Sequence, residues 1–274
     1  MFSLKDRNVV VTGGGKGIGR GIALAMSQAG AKVVITGRTA ATLDATAQEI
    51  RDRGGEVHVV VADVTSHEGI AAMVDGARRT FGYIHCWVNN AGSANQADVG
   101  RLIDIDEGQW DRVVDLNMKW AFFAAQAAAR QMTEGGSIIN ITSRSASLPS
   151  PNVGQYGAAK AGLEHLTTTM STEWGHKNIR VNAIQPGVVL TEAPVSMAKE
   201  SRRRRQIETV PLRRLGAVED VAPLAVYFAS DESAWVTGTI VPVNGGGRVP
   251  IGMMSYLFHI NREMEAKEVA TAAQ

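Results

Sequence analysis

The chain has 274 residues, 45% hydrophobic and 20% charged, with a formal net charge of +1 at pH 7. This length and composition suit one α/β domain with a large core. The near-neutral charge gives no reason to expect nucleic acid or an anionic membrane surface as a partner. An intrachain disulfide is excluded because Cys86 is the only cysteine. Its place in a strand-like run predicts a small buried residue and not a reactive thiol. With no secretory leader pattern and no apolar run near the ~18 residues of a membrane span, we expect a cytoplasmic protein.

The first predicted element is an apolar strand over 8–13, and a glycine-rich turn and a helix follow it directly. The turn reads Gly13-Gly-Gly-Lys-Gly-Ile-Gly19, and the helix is predicted over 17–29. A dinucleotide site requires strand, turn and helix in this order. Gly13 permits the tight turn, while Gly17 and Gly19 let the backbone approach a pyrophosphate. The N–H groups at the start of the helix would then meet the phosphates.

The second strand, predicted over 32–37, ends without an acidic residue. An acidic side chain there would hydrogen-bond the adenosine ribose of NAD and repel a 2′-phosphate. Gly37 occupies that place, Arg38 follows it, and Lys16 lies inside the glycine turn. Two cations can therefore converge on a 2′-phosphate, with the guanidinium binding in a forked geometry. The alternative is that both are solvated surface charges. We predict NADP as the cofactor in preference to NAD.

Along the rest of the chain, apolar runs alternate with helical patterns. This alternation predicts a single doubly wound Rossmann-type α/β domain over residues 1–247, with a seven-stranded parallel sheet flanked by helices on both faces. The connection 188–216 is predicted to be an irregular, mobile cover over a site, and 248–274 a C-terminal extension. The other strands are predicted at 57–62, 84–89, 136–142, 179–184 and 239–243, and the other helices at 40–53, 67–81, 108–132, 154–175 and 218–230.

The helix predicted over 154–175 carries Tyr156 and Lys160 one turn apart, so that a phenol and an ammonium rise from one face. Tyrosine ionises near pH ~10 and is a poor base at neutral pH unless a positive charge favours its phenolate. Lys160 supplies that charge. Ser143 follows the buried strand 136–142, which delivers it to the same edge of the sheet. The pattern predicts a proton-transfer site, although a lone Tyr-x-x-x-Lys pair also occurs on solvated helix faces.

These residues, with Asn89-Asn-Ala-Gly92 and Pro186-Gly187, stand in the order and spacing of the short-chain dehydrogenase/reductases. The chain resembles this family over about residues 4 to 247, and within it the 3-oxoacyl-carrier-protein reductases and hydroxysteroid dehydrogenases. The resemblance implies an NADP(H)-dependent oxidoreductase that assembles as a homodimer or homotetramer. The implied catalytic residues are Asn117, Ser143, Tyr156 and Lys160. The implied cofactor-binding residues are Gly13, Gly15, Lys16, Gly17, Ile18, Gly19, Arg38, Asp63, Val64, Asn90, Ala91, Gly92, Tyr156, Lys160, Pro186, Gly187, Val189 and Thr191.

The resemblance also implies individual roles. Asp63 would hydrogen-bond the adenine amino group, and Lys160 the nicotinamide ribose. Val189 by its backbone and Thr191 by its hydroxyl would anchor the nicotinamide carboxamide. Asn117 would hold a water molecule against the lysine, or else be satisfied within its own helix. The chemistry needs no metal, and the sequence shows no cluster of ligands with metal-binding spacing.

The substrate is left open by these patterns. The predicted walls, Ser93–Asp98, Ala146–Val153 and a cover containing Met197, mix small polar and apolar groups. Four consecutive arginines within Ser201–Gln206 either attract a phosphorylated thioester or form a solvated helix face. The candidates are 3-oxoacyl thioesters, steroids, sugars and simple cyclic ketones. A non-catalytic NADP-binding sensor or scaffold is a further alternative, but it would not require the catalytic side chains.

Overall fold

Seven parallel strands form one sheet, as predicted; numbered along the chain, they lie side by side in the order 3-2-1-4-5-6-7. The computed structural model describes residues 2–93, 95–191 and 200–246, so that Met197 and the extension 248–274 lie outside the described residues. The strands are β1 (Asn8–Thr12), β2 (Lys32–Gly37), β3 (Val57–Val61), β4 (Cys86–Asn89), β5 (Gly136–Ile141), β6 (Ile179–Pro186) and β7 (Ile240–Val243).

Helices cover both faces of this sheet. They are α1 (Gly17–Gln28), α2 (Ala40–Asp52), α3 (His67–Phe81), α4 (Glu107–Val114), α5 (Trp120–Gln131), α6 (Gly154–Trp174), α7 (Glu200–Glu208) and α8 (Val218–Ala229). Among the described helices, none combines the length and the apolar character that crossing a membrane would require.

The position of the functional cleft follows from the strand order. The chain begins at β1 in the middle of the sheet, places β2 and β3 on one side, and returns to place β4 on the other side. In an open parallel sheet, this reversal leaves a crevice outside the carboxyl ends of the two central strands. The residues that follow β1 and β4 therefore face each other across a crevice.

Two hydrophobic cores lie on opposite sides of the sheet. Val9 and Val11 of β1 pack into the core that contains Ile22 of α1. Val10 packs into the other core, with Met73 of α3. Successive side chains of a strand point to opposite faces, so a strand buried on both faces reads as an uninterrupted apolar run. This is why the first strand is recognisable in the sequence.

The long helix predicted over 108–132 is interrupted. A π-helical segment, Asp115–Lys119, separates α4 from α5. Such a segment adds one residue to a helical turn and is frequent at functional sites. Here it contains Asn117, whose side chain is fully buried. The 3.6-residue pattern of the sequence does not reveal this local change, because the apolar residues on either side continue the helical face.

The predicted irregular cover over 188–216 contains a helix. The charged run that includes Arg203 and Arg204 forms α7, and both of these side chains are exposed. Val189 pairs in an isolated parallel bridge with Gly216, which ties the start of the segment to its end. Most other element bounds differ by one or two residues from prediction, as is usual at frayed ends.

Candidate active site

A cleft of about 600 Å³ lies at the carboxyl edge of the sheet. It gathers nearly all of the predicted residues, whereas Val189 and Asn117 do not line it. The predicted residues that line it are Gly13, Gly15, Lys16, Gly17, Ile18, Gly19, Arg38, Asp63, Val64, Asn90, Ala91, Gly92, Ser143, Tyr156, Lys160, Pro186, Gly187 and Thr191. Ser93 and Asn95, from the predicted wall Ser93–Asp98, also line it. Lining residues that were not predicted include Thr12, Thr39, Thr42 and Leu116.

The glycine turn is shaped by positions that exclude a side chain. Gly13 and Gly17 have φ of +66° and +55°, a region that favours glycine. A Cβ on Gly19 would overlap the carbonyl oxygen of Gly13 and the side chain of Asn90. The turn therefore lies against the end of β4 and leaves the start of α1 facing the cleft. Backbone N–H groups and the positive end of the helix dipole make this a fitting place for a pyrophosphate.

Thr12 joins the two sides of the crevice. Its buried hydroxyl accepts hydrogen bonds from the backbone N–H groups of Asn90 and Ala91, both at 3.0 Å. It donates to the carbonyl oxygen of Val88 at 3.1 Å. The side chain of Asn90 donates in return to the carbonyl oxygen of Thr12 at 2.9 Å. A hydroxyl residue at the end of the first strand was the available sequence signal for this role.

The side chains of Ser143 and Tyr156 lie close together in the cleft. Burial raises the pKa of Tyr156 above its usual value, and the nearby Ser143 hydroxyl opposes that rise. The Lys160 Nζ atom lies 5.7 Å from the centre of the Tyr156 ring. The sequence predicted that Lys160 lowers the pKa of this tyrosine. The net direction in the structure is upward, because the loss of water around the phenol outweighs the other effects.

Lys160 is buried and donates a hydrogen bond to the carbonyl oxygen of Ile141 at 2.9 Å. Burial lowers the pKa of Lys160 to about 8, and the Glu164 carboxylate opposes this shift. A Cβ on Gly92 would lie 3.1 Å from the Lys160 Nζ and 2.6 Å from the Asn117 Oδ1. Gly92 therefore lies directly against both side chains.

The side-chain amide of Asn117 uses its nitrogen in hydrogen bonds but not its oxygen. Its Nδ2 donates to the carbonyl oxygens of Ser93 and Val113, at 2.7 and 2.9 Å. Its Oδ1 is buried and has no hydrogen-bond partner. A buried acceptor without a partner is uncommon and is expected where water or another group binds. The bond to Val113 alone fits an asparagine satisfied within its helix, but the free acceptor near Lys160 favours the water-holding role.

A network that the sequence analysis did not anticipate lies beneath these groups. The carboxylate of Glu164 accepts hydrogen bonds from the Thr142 hydroxyl at 2.8 Å and from the Gln185 amide at 2.7 Å. Gln185 also donates to the Ser147 hydroxyl at 2.6 Å. The network joins the ends of β5 and β6 to α6. Glu164 continues the four-residue spacing of Tyr156 and Lys160, which was a usable signal.

The opposite end of the cleft carries the charges expected around adenosine. Arg38 Nη1 lies 3.9 Å from Asp63 Oδ2, and both side chains are substantially exposed. The other Asp63 oxygen accepts from the backbone N–H and the hydroxyl of Thr65, at 2.9 and 2.8 Å. Lys16 and Arg38 line the same cleft, so both are available to an anion there.

Cys86 takes no part in the cleft. Its side chain is fully buried in a hydrophobic core, and burial raises the pKa of its thiol to about 12. The prediction of a small buried residue in place of a reactive thiol is confirmed. In the part of the chain that the structure describes, no group of histidine, cysteine, aspartate or glutamate side chains could hold a metal ion.

Comparison with known proteins identifies the family. A family model described as enoyl-(acyl carrier protein) reductase matches residues 13–247. A short-chain type dehydrogenase/reductase of Picea abies is 38% identical over 254 residues, covering 89% of this chain and 93% of the relative. A 3-oxoacyl-[acyl-carrier-protein] reductase of Pseudomonas aeruginosa is 35% identical over 247 residues, covering 89% and 98%.

A solved structure leads to the same family. It is a 7α-hydroxysteroid dehydrogenase complexed with NADH and 7-oxo glycochenodeoxycholic acid. It superposes with a TM-score of 0.85 at 34% identity, covering 89% of this chain and 95% of that one. Fold, cleft and relatives agree, and the chain belongs to the short-chain dehydrogenase/reductase family of oxidoreductases.

Proposed function

We propose that the protein is an NADP(H)-dependent oxidoreductase that interconverts a carbonyl compound and a secondary alcohol. The observation that carries this proposal is that the cleft brings Ser143 and Tyr156 together, with the buried Lys160 Nζ atom 5.7 Å from the centre of the Tyr156 ring. These groups lie at one end of the cleft that also contains the glycine turn. A proton donor and a dinucleotide site thus share one cavity.

The residues of the cleft suit a nicotinamide dinucleotide. The turn Gly13–Gly19 would hold the pyrophosphate, and Asp63 would hold the adenine end. Lys160 would bind the nicotinamide ribose, and Thr191 the carboxamide. When bound, the nicotinamide ring supplies a hydride to a carbonyl carbon or accepts one from an alcohol carbon.

The side chains of the chain itself handle the proton. Tyr156 donates its hydroxyl proton to the carbonyl oxygen during reduction, while the hydroxyl of Ser143 holds the same oxygen. The ammonium of Lys160 stabilises the phenolate that remains. Asn117, through the free Oδ1, holds the water that returns a proton toward Lys160. The same groups act in reverse during oxidation of the alcohol.

The preference for NADP rests on Gly37, Arg38 and Lys16. No acidic side chain stands at Gly37, and the two cations line the adenosine end of the cleft. The exposed Arg38 pairs only loosely with Asp63, at 3.9 Å, and is available to a 2′-phosphate. The hydroxysteroid dehydrogenase of the solved structure holds NADH. For that reason both cofactors are to be compared.

A 3-oxoacyl thioester is our first candidate substrate. The Pseudomonas aeruginosa relative is named for such a substrate, and the exposed Arg203 and Arg204 on α7 offer positive charge to a phosphorylated carrier. A steroid or cyclic ketone is the second candidate, supported by the hydroxysteroid dehydrogenase. We further propose a cytoplasmic homodimer or homotetramer, assembled through the region of α5 and α6.

The test is oxidation of NADPH, with NADH in parallel, against acetoacetyl-CoA and a panel of steroid and cyclic ketones. Turnover of the thioester with NADPH supports the first candidate. Turnover of steroids or cyclic ketones alone selects the second, and a preference for NADH contradicts the assignment of Lys16 and Arg38. Absence of turnover with every member of the panel speaks against this reaction class.

The variant Tyr156→Phe separates an enzyme from a sensor. Removing the proton donor should lower kcat by a factor of about 10² to 10⁴. NADPH binding, followed by its fluorescence, should persist because the ring is retained. Full activity of Tyr156→Phe would show that Tyr156 is not the proton donor.

A further inference from the structure

Arg144 directly follows Ser143 and begins a short 3₁₀ helix, Arg144–Ala146, at the end of β5. Its side chain is partly buried. Its Nη2 donates a hydrogen bond to the Gln206 Oε1 of α7 at 3.3 Å, which is a long contact with a neutral group. Burial lowers the pKa of this guanidinium, and no carboxylate opposes the shift. A cation thus lies between the proposed catalytic serine and the segment predicted to cover the site.

Among the described residues, no carboxylate lies within ion-pair distance of Arg144. By contrast, Arg112 pairs with Asp98 at 2.9 Å, and Arg214 donates to both oxygens of Asp220. The partly buried Arg180 donates to two backbone carbonyl oxygens, and its Nη1 has no partner. Arg144 resembles Arg180 in being partly withdrawn from water beside neutral groups, but its hydrogen bond reaches a side chain of the segment predicted to cover the site.

A guanidinium has five N–H donors, and removing it from water is costly unless those donors and the charge are matched. Gln206 satisfies one donor of Arg144 through a neutral oxygen. The nearby α7 adds further positive charge through the exposed Arg203. A planar carboxylate would match both the charge and the forked geometry of the Arg144 side chain.

We propose that Arg144 binds a carboxylate group on the substrate, so that the protein acts on oxo acids and the corresponding hydroxy acids. This inference rests on the proposed function, because the carbonyl of the same molecule reacts at Ser143 and Tyr156. A thioester has no free carboxylate on its acyl group, so the proposal favours the second candidate class, in the form of a cyclic or steroid ketone that carries a carboxylate. Arg144 is then a specificity-determining residue.

The competing explanation is structural. Arg144 contacts the last turn of α7, where a cation also stabilises the negative end of the helix dipole. A residue that only holds the helix would affect charged and neutral substrates alike. A residue that binds a carboxylate would affect the charged substrate selectively.

The experiment compares 3-oxocyclohexane-1-carboxylate with its primary amide, which has the same shape without the charge. Initial rates of NADPH oxidation give kcat/KM, and calorimetric titration in the presence of NADP⁺ gives Kd. Both are measured for the unmodified chain and for Arg144→Met and Arg144→Lys. Arg51→Met is the control, because it removes a positive charge from an exposed position of α2 that does not line the cleft.

We expect the unmodified chain to favour the carboxylate, and Arg144→Met to reduce that preference about tenfold or more, mainly through KM and Kd. Arg144→Lys should retain part of the preference, and Arg51→Met all of it. Equal Kd values for acid and amide in the unmodified chain would overturn the proposal, whether or not either is reduced. A parallel loss for both compounds in Arg144→Met would assign Arg144 to holding α7. If only neutral ketones of the wider panel react, the carboxylate site is rejected and the oxidoreductase function stands.

Discussion

The polar groups at the inner end of the cleft are withdrawn from water. Lys160 is buried with one backbone hydrogen bond, and the Asn117 Oδ1 is buried with none. Burial also raises the pKa of Tyr156. Each of these features destabilises the folded chain, because buried polar groups without full compensation are costly. Such features are expected where function has taken precedence over stability.

Burial of Lys160 should make the free energy of unfolding depend on pH, and this dependence should disappear in Lys160→Met. The pKa of Lys160 is about 8 in the folded chain, against an ordinary value of 10.5. Between these values the unfolded chain binds more protons, so the free energy of unfolding rises with pH. Relative to Lys160→Met, the unmodified chain should gain roughly 3 kcal/mol across this window. Denaturant unfolding of both proteins at several pH values measures the difference, and a constant difference would contradict the lowered pKa.

Glu164 predicts a change in the pH profile. Its carboxylate favours the ammonium of Lys160 and also holds Thr142 and Gln185. Glu164→Gln removes the charge, so the pKa of Lys160 should fall below about 8. The alkaline decline of kcat/KM for reduction should then begin at lower pH.

The control for this shift is Glu173→Gln, which removes a carboxylate from an exposed position of the same helix. It should leave the profile in place. If Glu164→Gln lowers the rate equally at all pH values, Glu164 acts through its hydrogen bonds and not through its charge.

Among the elements, the π-helical segment and the turn after β4 meet at Gly92. The segment places Asn117 in contact with this turn, and a Cβ on Gly92 would lie 2.6 Å from the Asn117 Oδ1. Gly92→Ala should therefore displace the Asn117 Oδ1 and the Lys160 Nζ. Both atoms are at the ends of side chains and can move without unfolding the protein. We expect kcat to fall about tenfold or more, by analogy with other small displacements of catalytic groups.

The matched control is Gly175→Ala, since a Cβ there meets nothing within 4 Å. Steady-state kinetics and thermal unfolding of both variants separate a local displacement from a loss of stability. Full activity in Gly92→Ala would show that the close approach of these elements is not needed for function.

In the whole molecule, the sheet ends at β7, which pairs with β6 on one side. No described strand pairs with its other side. Trp235, shortly before β7, is 99% exposed. An unpaired sheet edge beside a large exposed aromatic ring is usually covered by another chain. We expect this edge to form a second contact of the proposed homotetramer, besides the contact through the region of α5 and α6.

The prediction is that Trp235→Ser lowers the mass of the assembly, as measured by light scattering after size-exclusion chromatography. Val61→Ser, at the opposite edge of the sheet and 54% exposed, is the control and should leave the mass unchanged. An unchanged mass in Trp235→Ser would place the subunit contact elsewhere.

The parallel sheet, the glycine turn and the spacing of Tyr156 and Lys160 could all be predicted from the sequence. These features are local, since strands buried on both faces, tight turns and helical faces leave periodic or compositional marks. The burial of Cys86 could be predicted for the same reason. The position of Ser143 at the carboxyl edge of the sheet could also be predicted, because the carboxyl ends of parallel strands lie at the same edge.

The contacts between residues that are distant in the chain could not be predicted from the sequence and are seen in the tertiary structure. The Thr12 hydroxyl joins β1 to the turn after β4, and Glu164 joins α6 to the ends of two strands. The direction of the Tyr156 pKa shift depends on burial, and burial results from neighbours in all parts of the chain. The π-helical turn at Asn117 was equally hidden, because local periodicity records which face of an element is apolar but not which polar groups that face will meet.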